Sequence, residues 1–160
     1  MSDDIRIKLD WSEILVASSV GCMRNVQSLR NRCKPGNSIG LDDTWTINIE
    51  GAAGEMAVAK YLQMYWSGNV GNYNADDVGS YNIKTNTSRK FDDLILRPTD
   101  YDDKYYILVL SFLPEFVICG WIKGADGKSP SWAREGTPGR PAFFVPRSKL
   151  NPMATLPVEF

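Results

Sequence analysis

A run of small residues, Gly51-Ala-Ala-Gly-Glu55-Met-Ala-Val-Ala59, sets the tightest limit on how this chain packs. Alanine has the highest helix propensity, and short side chains let a helix lie close to whatever it crosses. The pattern predicts a helix from near Gly51 to near Trp66, led into by Trp45-Thr-Ile-Asn-Ile49. Gly54 suits a close backbone approach, a property that ordinary tight packing also demands. Glu55 stands within this run as an acid at the start of a helix.

The other segments read more plainly. Ile5-Arg-Ile-Lys-Leu9 alternates and predicts a short strand. Ile14, Leu15, Ser18, Cys22, Val26 and Leu29 suit a helix from about Ser12 to Arg32, capped by Ser12 and ending at Lys34-Pro-Gly36. Its apolar stripe is expected to face the body and its arginines to face solvent. Tyr81 to Thr87 reads as a strand, with a turn at Ser88-Arg89-Lys90 leading into Phe91 to Arg97. Further strands are expected at Tyr105 to Leu113, Glu115 to Ile122 and Ala142 to Val145, with Pro114 at a boundary. Gly124 to Gly139 is an interruption rich in Gly and Pro, where Trp132 is the best candidate for an exposed ring. Two helical segments among several strands predict an α/β fold, a mixed or antiparallel central sheet flanked by helices, in one domain spanning 1–160.

Charge neither demands nor excludes a nucleic-acid partner, since the formal net charge is -1 and local patches outweigh the total. From Ile14 to Leu41 there is no Asp, while Arg24, Arg30, Arg32 and Lys34 are cationic. Asp92 to Asp103 is acid-rich, and Lys123, Lys128, Arg134, Arg140, Arg147 and Lys149 follow it. Folding the two cationic segments beside one groove would make a phosphate-binding surface. The alternative is a solvated surface of mixed charge. Cys22, Cys33 and Cys119 form no disulfide or zinc-finger pattern, and the chain has no histidine. Acyl transfer by Ser or Cys therefore has no imidazole base, whereas carboxylates can hold a hard cation. The chain shows neither a long apolar run nor a basic-then-apolar leader, so a cytoplasmic, non-membrane protein is expected.

Asp77-Val-Gly-Ser-Tyr-Asn82-Ile-Lys84 carries the chemistry. Asn82 and Lys84 share one side of a straight strand, whereas Asp77 needs a bend at Gly79 to join them. Carboxylates that hold Mg²⁺ can orient and acidify a water, and an ammonium nearby can stabilise phosphate charge. Asp77, Asn82-Ile-Lys84 and the upstream helical Glu55 together resemble the active-site order of the PD-(D/E)XK nuclease superfamily. The match is similar to small phage or prophage members of that superfamily over roughly Gly21 to Pro152, including Phe116 to Ile122 and Gly139 to Pro146.

That resemblance implies a restriction-endonuclease-like fold and a Mg²⁺- or Mn²⁺-dependent endonuclease or nickase acting on nucleic acid, DNA favoured. It implies Glu55 and Asp77 as metal ligands and Lys84 as the motif lysine. Asn82 stands where Asp or Glu is usual; its carbonyl can ligate a cation but carries no charge. Asp76, Asp92, Asp93 and Glu50 are the acids available to replace that charge. Arg24, Arg30, Arg32, Arg89 and Lys90 are the candidate phosphate contacts. The alternative is a catalytically inactive regulator of phage origin that binds nucleic acid or a protein. The resemblance places either one in the bacterial host cytoplasm during phage expression.

Overall fold

The computed structural model describes residues 3–31, 41–72, 74–88 and 90–158, the side chains of 41–43 and 137 excepted. The expected segments Arg32, Lys34-Pro-Gly36 and Arg89 lie outside these residues. Strand β1 (Ile5–Lys8) leads to helix α1 (Trp11–Arg30) and then to helix α2 (Leu41–Leu62). Strands β2 (Tyr81–Asn86), β3 (Leu94–Leu96), β4 (Tyr105–Phe112) and β5 (Glu115–Lys123) follow. One helical turn, α3 (Gly124–Gly127), precedes β6 (Ala133–Thr137) and β7 (Arg140–Val145).

The strands form two sheets. The larger has the order β1-β5-β4-β2 and is mixed, because β2 runs parallel to β4 while β4, β5 and β1 alternate in direction. The smaller is antiparallel, in the order β3-β7-β6. β4 shows how one strand serves two cores. Ile107 and Val109 pack with Ala53, Ala57 and Val58 of α2, while Tyr106, Leu108 and Leu110 pack with Leu94, Leu96 and Val145 of the small sheet. The mixed sheet is thus covered by helices on one face and by three strands on the other. Successive side chains on a strand point to opposite faces, so a strand buried on both sides is apolar along most of its length, as β4 is apart from Ser111.

Four local expectations change. Helix α1 starts at Trp11 with Asp10 at its N-cap, not Ser12, and the Asp10 backbone N–H donates to the Glu13 carboxylate at 2.8 Å. Such reciprocal capping satisfies donors that a helix start leaves orphaned. Helix α2 begins at Leu41, well before Gly51, and absorbs Trp45 to Ile49. The strand expected over Phe91 to Arg97 is shortened to β3, Leu94–Leu96, which belongs to a different sheet from β2. β6 lies inside the Gly/Pro-rich interruption, and Trp132 packs partly buried against the second core instead of standing exposed.

The small residues of α2 do what their size allows. A Cβ added at Gly54 would sit 2.1 Å from Thr85 Oγ1, so the helix rests directly on β2. α2 then stops at Leu62 through Gln63, whose φ of 55° is left-handed and outside glycine's usual monopoly. Met64 N–H closes the end by donating to the Ala59 carbonyl at 2.9 Å, and Gln63 N–H reaches Lys60 O. This is a helix stop in which glycine is the ordinary occupant.

Two stability predictions follow from these contacts. Gly54→Ala should cost about 1–3 kcal/mol in denaturant unfolding, because a short branched Thr85 has no route away, and Thr85→Ala in the same chain should recover part of the loss. An unchanged midpoint for the single variant would contradict the close approach. Gln63→Gly should stabilise the chain by roughly 0.5–1 kcal/mol by removing left-handed strain; a loss of stability would show that its side chain matters more.

Candidate active centre

The site grows from the edge of the mixed sheet. Among the described residues β2 is an outer strand, paired on its β4 side, so part of its backbone faces away from the ladder. Before it, Gly79 adopts a φ of 57°, a conformation that costs glycine nothing, and the chain folds back there with Tyr81 N–H on the Val78 carbonyl. The fold-back brings Asp77 alongside the strand it precedes. Its Oδ2 accepts the Ile83 backbone N–H at 2.7 Å. The bend expected at Gly79 is present, and it satisfies a donor on a sheet edge.

Glu55 reaches the same neighbourhood from α2 and is buried, 7% exposed. A carboxylate this enclosed needs compensation, and it receives a bidentate pair from Arg24 of α1. Nη1 donates to Oε1 at 2.8 Å and Nη2 to Oε2 at 2.9 Å. The Trp66 indole N–H adds a third bond at 3.0 Å, and Arg24 Nε donates to the Asn69 carbonyl at 2.8 Å. A planar guanidinium fork matches a carboxylate in this way, whereas a lysine would offer a point charge. Arg24 is therefore turned into the protein and engaged on three nitrogens.

Asp77 feels this cluster. Burial, and next the Glu55 carboxylate, push its carboxyl from the ordinary 3.8 up to about 7, against the Ile83 N–H, Arg24 and Lys84, which favour its ionised form. Some of its surface reaches solvent, yet the protein around it is dense enough for desolvation to dominate. Glu55, Asp77, Arg24 and Lys84 thus share one electrostatic neighbourhood although they are spread over α1, α2 and the β2 edge.

Asn82 and Lys84 project from the opposite face of β2 to Ile83, which packs with α2. Asn82 Nδ2 donates to Asp76 Oδ1 at 3.1 Å, and Lys104 bridges the other Asp76 oxygen at 2.8 Å. Of the acids considered as replacements for the missing charge at Asn82, Asp76 lies beside it. Asp92 and Asp93 do not; they pair with Arg147 and Arg134 near the small sheet. Lys84 Nζ contacts Asp100 at 2.9 Å and stands 5.3 Å from the Tyr106 ring centre. Asp100, Lys104, Trp66 and Asn69 all shape the centre. Spacing along the chain carried no sign of them, because tertiary folding alone brings them there.

An open cavity of 260 Å³ lies next to Asp77, lined by Arg24, Gln27, Asn48, Asn72 and Asp76 among others. Four of its ten lining residues are carboxamides, joined by Arg24 and the two acids Asp76 and Asp77. Of the candidate phosphate contacts besides Arg24, Arg30 and Lys90 are exposed, and Arg32 and Arg89 lie outside the described residues. Lys128, Arg134 and Arg147 are paired with Asp102, Asp93 and Asp92, so the acid-rich run folds against the basic one.

Among the described residues no group of three or more His, Cys, Asp or Glu side chains is placed to hold a metal ion. No helix among them is long and apolar enough to cross a membrane. No protein-family model, curated protein or solved structure matches the chain.

The raised Asp77 carboxyl has a definite sign in stability. Between about pH 4 and pH 7 the folded chain holds a proton that the unfolded chain has lost, so stability falls as pH rises through this window and levels above it. Asp77→Asn keeps an oxygen for Ile83 but removes the titration. In buffer with chelator, the melting temperature of this variant should therefore gain on that of the parent from pH 5 to pH 8; parallel profiles would show that Asp77 titrates elsewhere.

Proposed function

We propose that the chain is a divalent-metal-dependent endonuclease or nickase that hydrolyses phosphodiester bonds in nucleic acid, with DNA favoured, in a restriction-endonuclease-like arrangement. The observation that carries the reading is that Asp77 and Arg24, the latter clamped on Glu55, line one cavity beside the strand that bears Lys84. A buried and a half-buried carboxylate that repel one another suit a hard cation, and the Lys84 ammonium on the same strand suits an anionic substrate. The residue order that resembles the PD-(D/E)XK superfamily supports the same reading.

The oxygens available fit Mg²⁺ or Mn²⁺ in type. Asp77 and Glu55 would hold the ion at the edge of β2, and Asn82 with Asp76 beside it, on the strand's other face, would contribute only by turning round that edge. Such an ion supplies polarisation of a phosphoryl oxygen and a water of lowered pKa. The remaining work belongs to the chain. The Ile83 N–H orients the Asp77 carboxylate, and Arg24 and Trp66 fix the rotamer of Glu55. Lys84, held between Asp100 and the Tyr106 ring, stabilises negative charge on the phosphate. Arg30 and Lys90 steer the backbone without reading its sequence.

A second reading rests on the Arg24–Glu55 pair. It satisfies both Glu55 oxygens without a metal, and Asn82 lacks the usual charge, as expected of a noncatalytic member that binds nucleic acid or a protein.

Purified chain with Mg²⁺ or Mn²⁺ should nick or cut plasmid, linear DNA or RNA. Asp77→Ala and Lys84→Ala should each lower the rate by about 100-fold or more with the fold intact by circular dichroism. A folded parent that cuts none of these substrates with either metal would overturn the enzymatic reading. If it nonetheless retains nucleic acid in chelator, the binding reading takes its place.

A further inference from the structure

Helix α1 turns much of its expected apolar stripe away from the body. The side pressed against α2 carries Ala17, Gly21 and Asn25, all buried. Of the expected stripe Ile14 packs against the core, but Leu15, Val26 and Leu29 are exposed, with Trp11 and Met23 beside them. Their exposure runs from 46% for Val26 to 74% for Trp11. A core-directed helix would bury such residues, and single exposed leucines are common, but a stripe running the length of a 20-residue helix is not.

We propose that this outward face is a homodimer interface, in which α1 of one chain packs antiparallel against α1 of a second copy across a two-fold axis. Spacing supports the occupant. Ser12, Leu15, Ser19, Cys22, Val26 and Leu29 alternate by three and four residues, the seam that lets two helices mesh side chains along their length. A dyad through the middle of the helix sets Leu15 opposite Val26 of the partner subunit. The short side chains of Ser19 and Cys22 then fall at the crossing, where the backbones come closest.

Charge selects the antiparallel sense. The only charged residues of α1 are Glu13, Arg24 and Arg30. Glu13 is drawn to Lys60 of α2, and Arg24 is turned inward to Glu55. The seam itself is therefore free of charge until Arg30 in the last turn. Antiparallel pairing brings Arg30 toward the partner's helix start, where Asp10 sits, and opposes the two helix dipoles; parallel pairing would set arginine beside arginine.

Area agrees. The exposed portions of the large apolar side chains on this face amount to roughly 600 Å² per chain, so pairing would bury on the order of 1,200 Å² in total, at the lower bound of a specific interface. A two-fold contact uses the same patch on both copies and closes at two, which accounts for a defined dimer in place of open aggregation.

Sedimentation velocity of the full chain from about 1 to about 200 μM decides the matter, a range that spans the weak end of interfaces this size. The expected result is a monomer–dimer equilibrium in the parent, with Leu15→Lys and Val26→Lys monomeric throughout. Both sites are solvent-exposed in the single chain, so their far-UV circular dichroism should match that of the parent. A parent that stays monomeric, a dimer that survives both substitutions, or a ladder of species beyond two would each overturn the proposal. So would a monomer that binds phosphatidylcholine vesicles through Trp11, since the face would then belong to lipid.

Discussion

The Arg24–Glu55 bridge is the contact on which the candidate centre depends. Glu55 is 7% exposed, and a carboxylate at that depth is tolerable only when both oxygens are compensated. Arg24 supplies two parallel bonds and Trp66 a third, while Arg24 Nε ties the chain near Asn69 to the same place. One interaction therefore joins α1, α2 and the segment that leads to Asp77. Losing either partner would leave the other charge buried alone, so the bridge is a fixed part of the fold as well as a neighbour of the chemistry.

What surrounds the bridge is shaped by how closely α2 can approach. Gly54 has no room for a methyl group beside Thr85, and the adjacent residue is Glu55. The helix thus presents its acid at the level of the β2 edge instead of one side-chain layer away. Asp77 arrives at that edge by a different device, the left-handed turn at Gly79, and is held by the Ile83 N–H. Two unrelated pieces of backbone geometry converge, and the electrostatic strain between Glu55 and Asp77 is the consequence. Lys84 and Asn82, on the other face of β2, complete a boundary of alternating charge through Asp100, Asp76 and Lys104.

The outward stripe of α1 follows from the same economy of space. A helix that must pass α2 closely uses Ala17 and Gly21 at the contact, which leaves its larger apolar residues on the far side. Close packing on one face and association on the other are then two results of one pattern of side-chain sizes.

Much of this was legible in the residues themselves. Alternation in Ile5 to Leu9, the apolar runs at Tyr105 to Ile122 and the alanine-rich helix are local facts, because strand and helix periods are written into side-chain order. The bend at Gly79 was legible for the same reason, since few other residues accept its φ. Local order could not say which face of α1 turns inward, because hydrophobicity favours Leu15 and Val26 inside whereas helix–helix distance favours Ala17 and Gly21, and only the packed pair decides between them. Nor could it show that Arg24 is spent on Glu55, that Asp76 stands beside Asn82, or that the strands divide into two sheets. Each of those is a contact between residues far apart in the chain, and such contacts come into being only when the layers close.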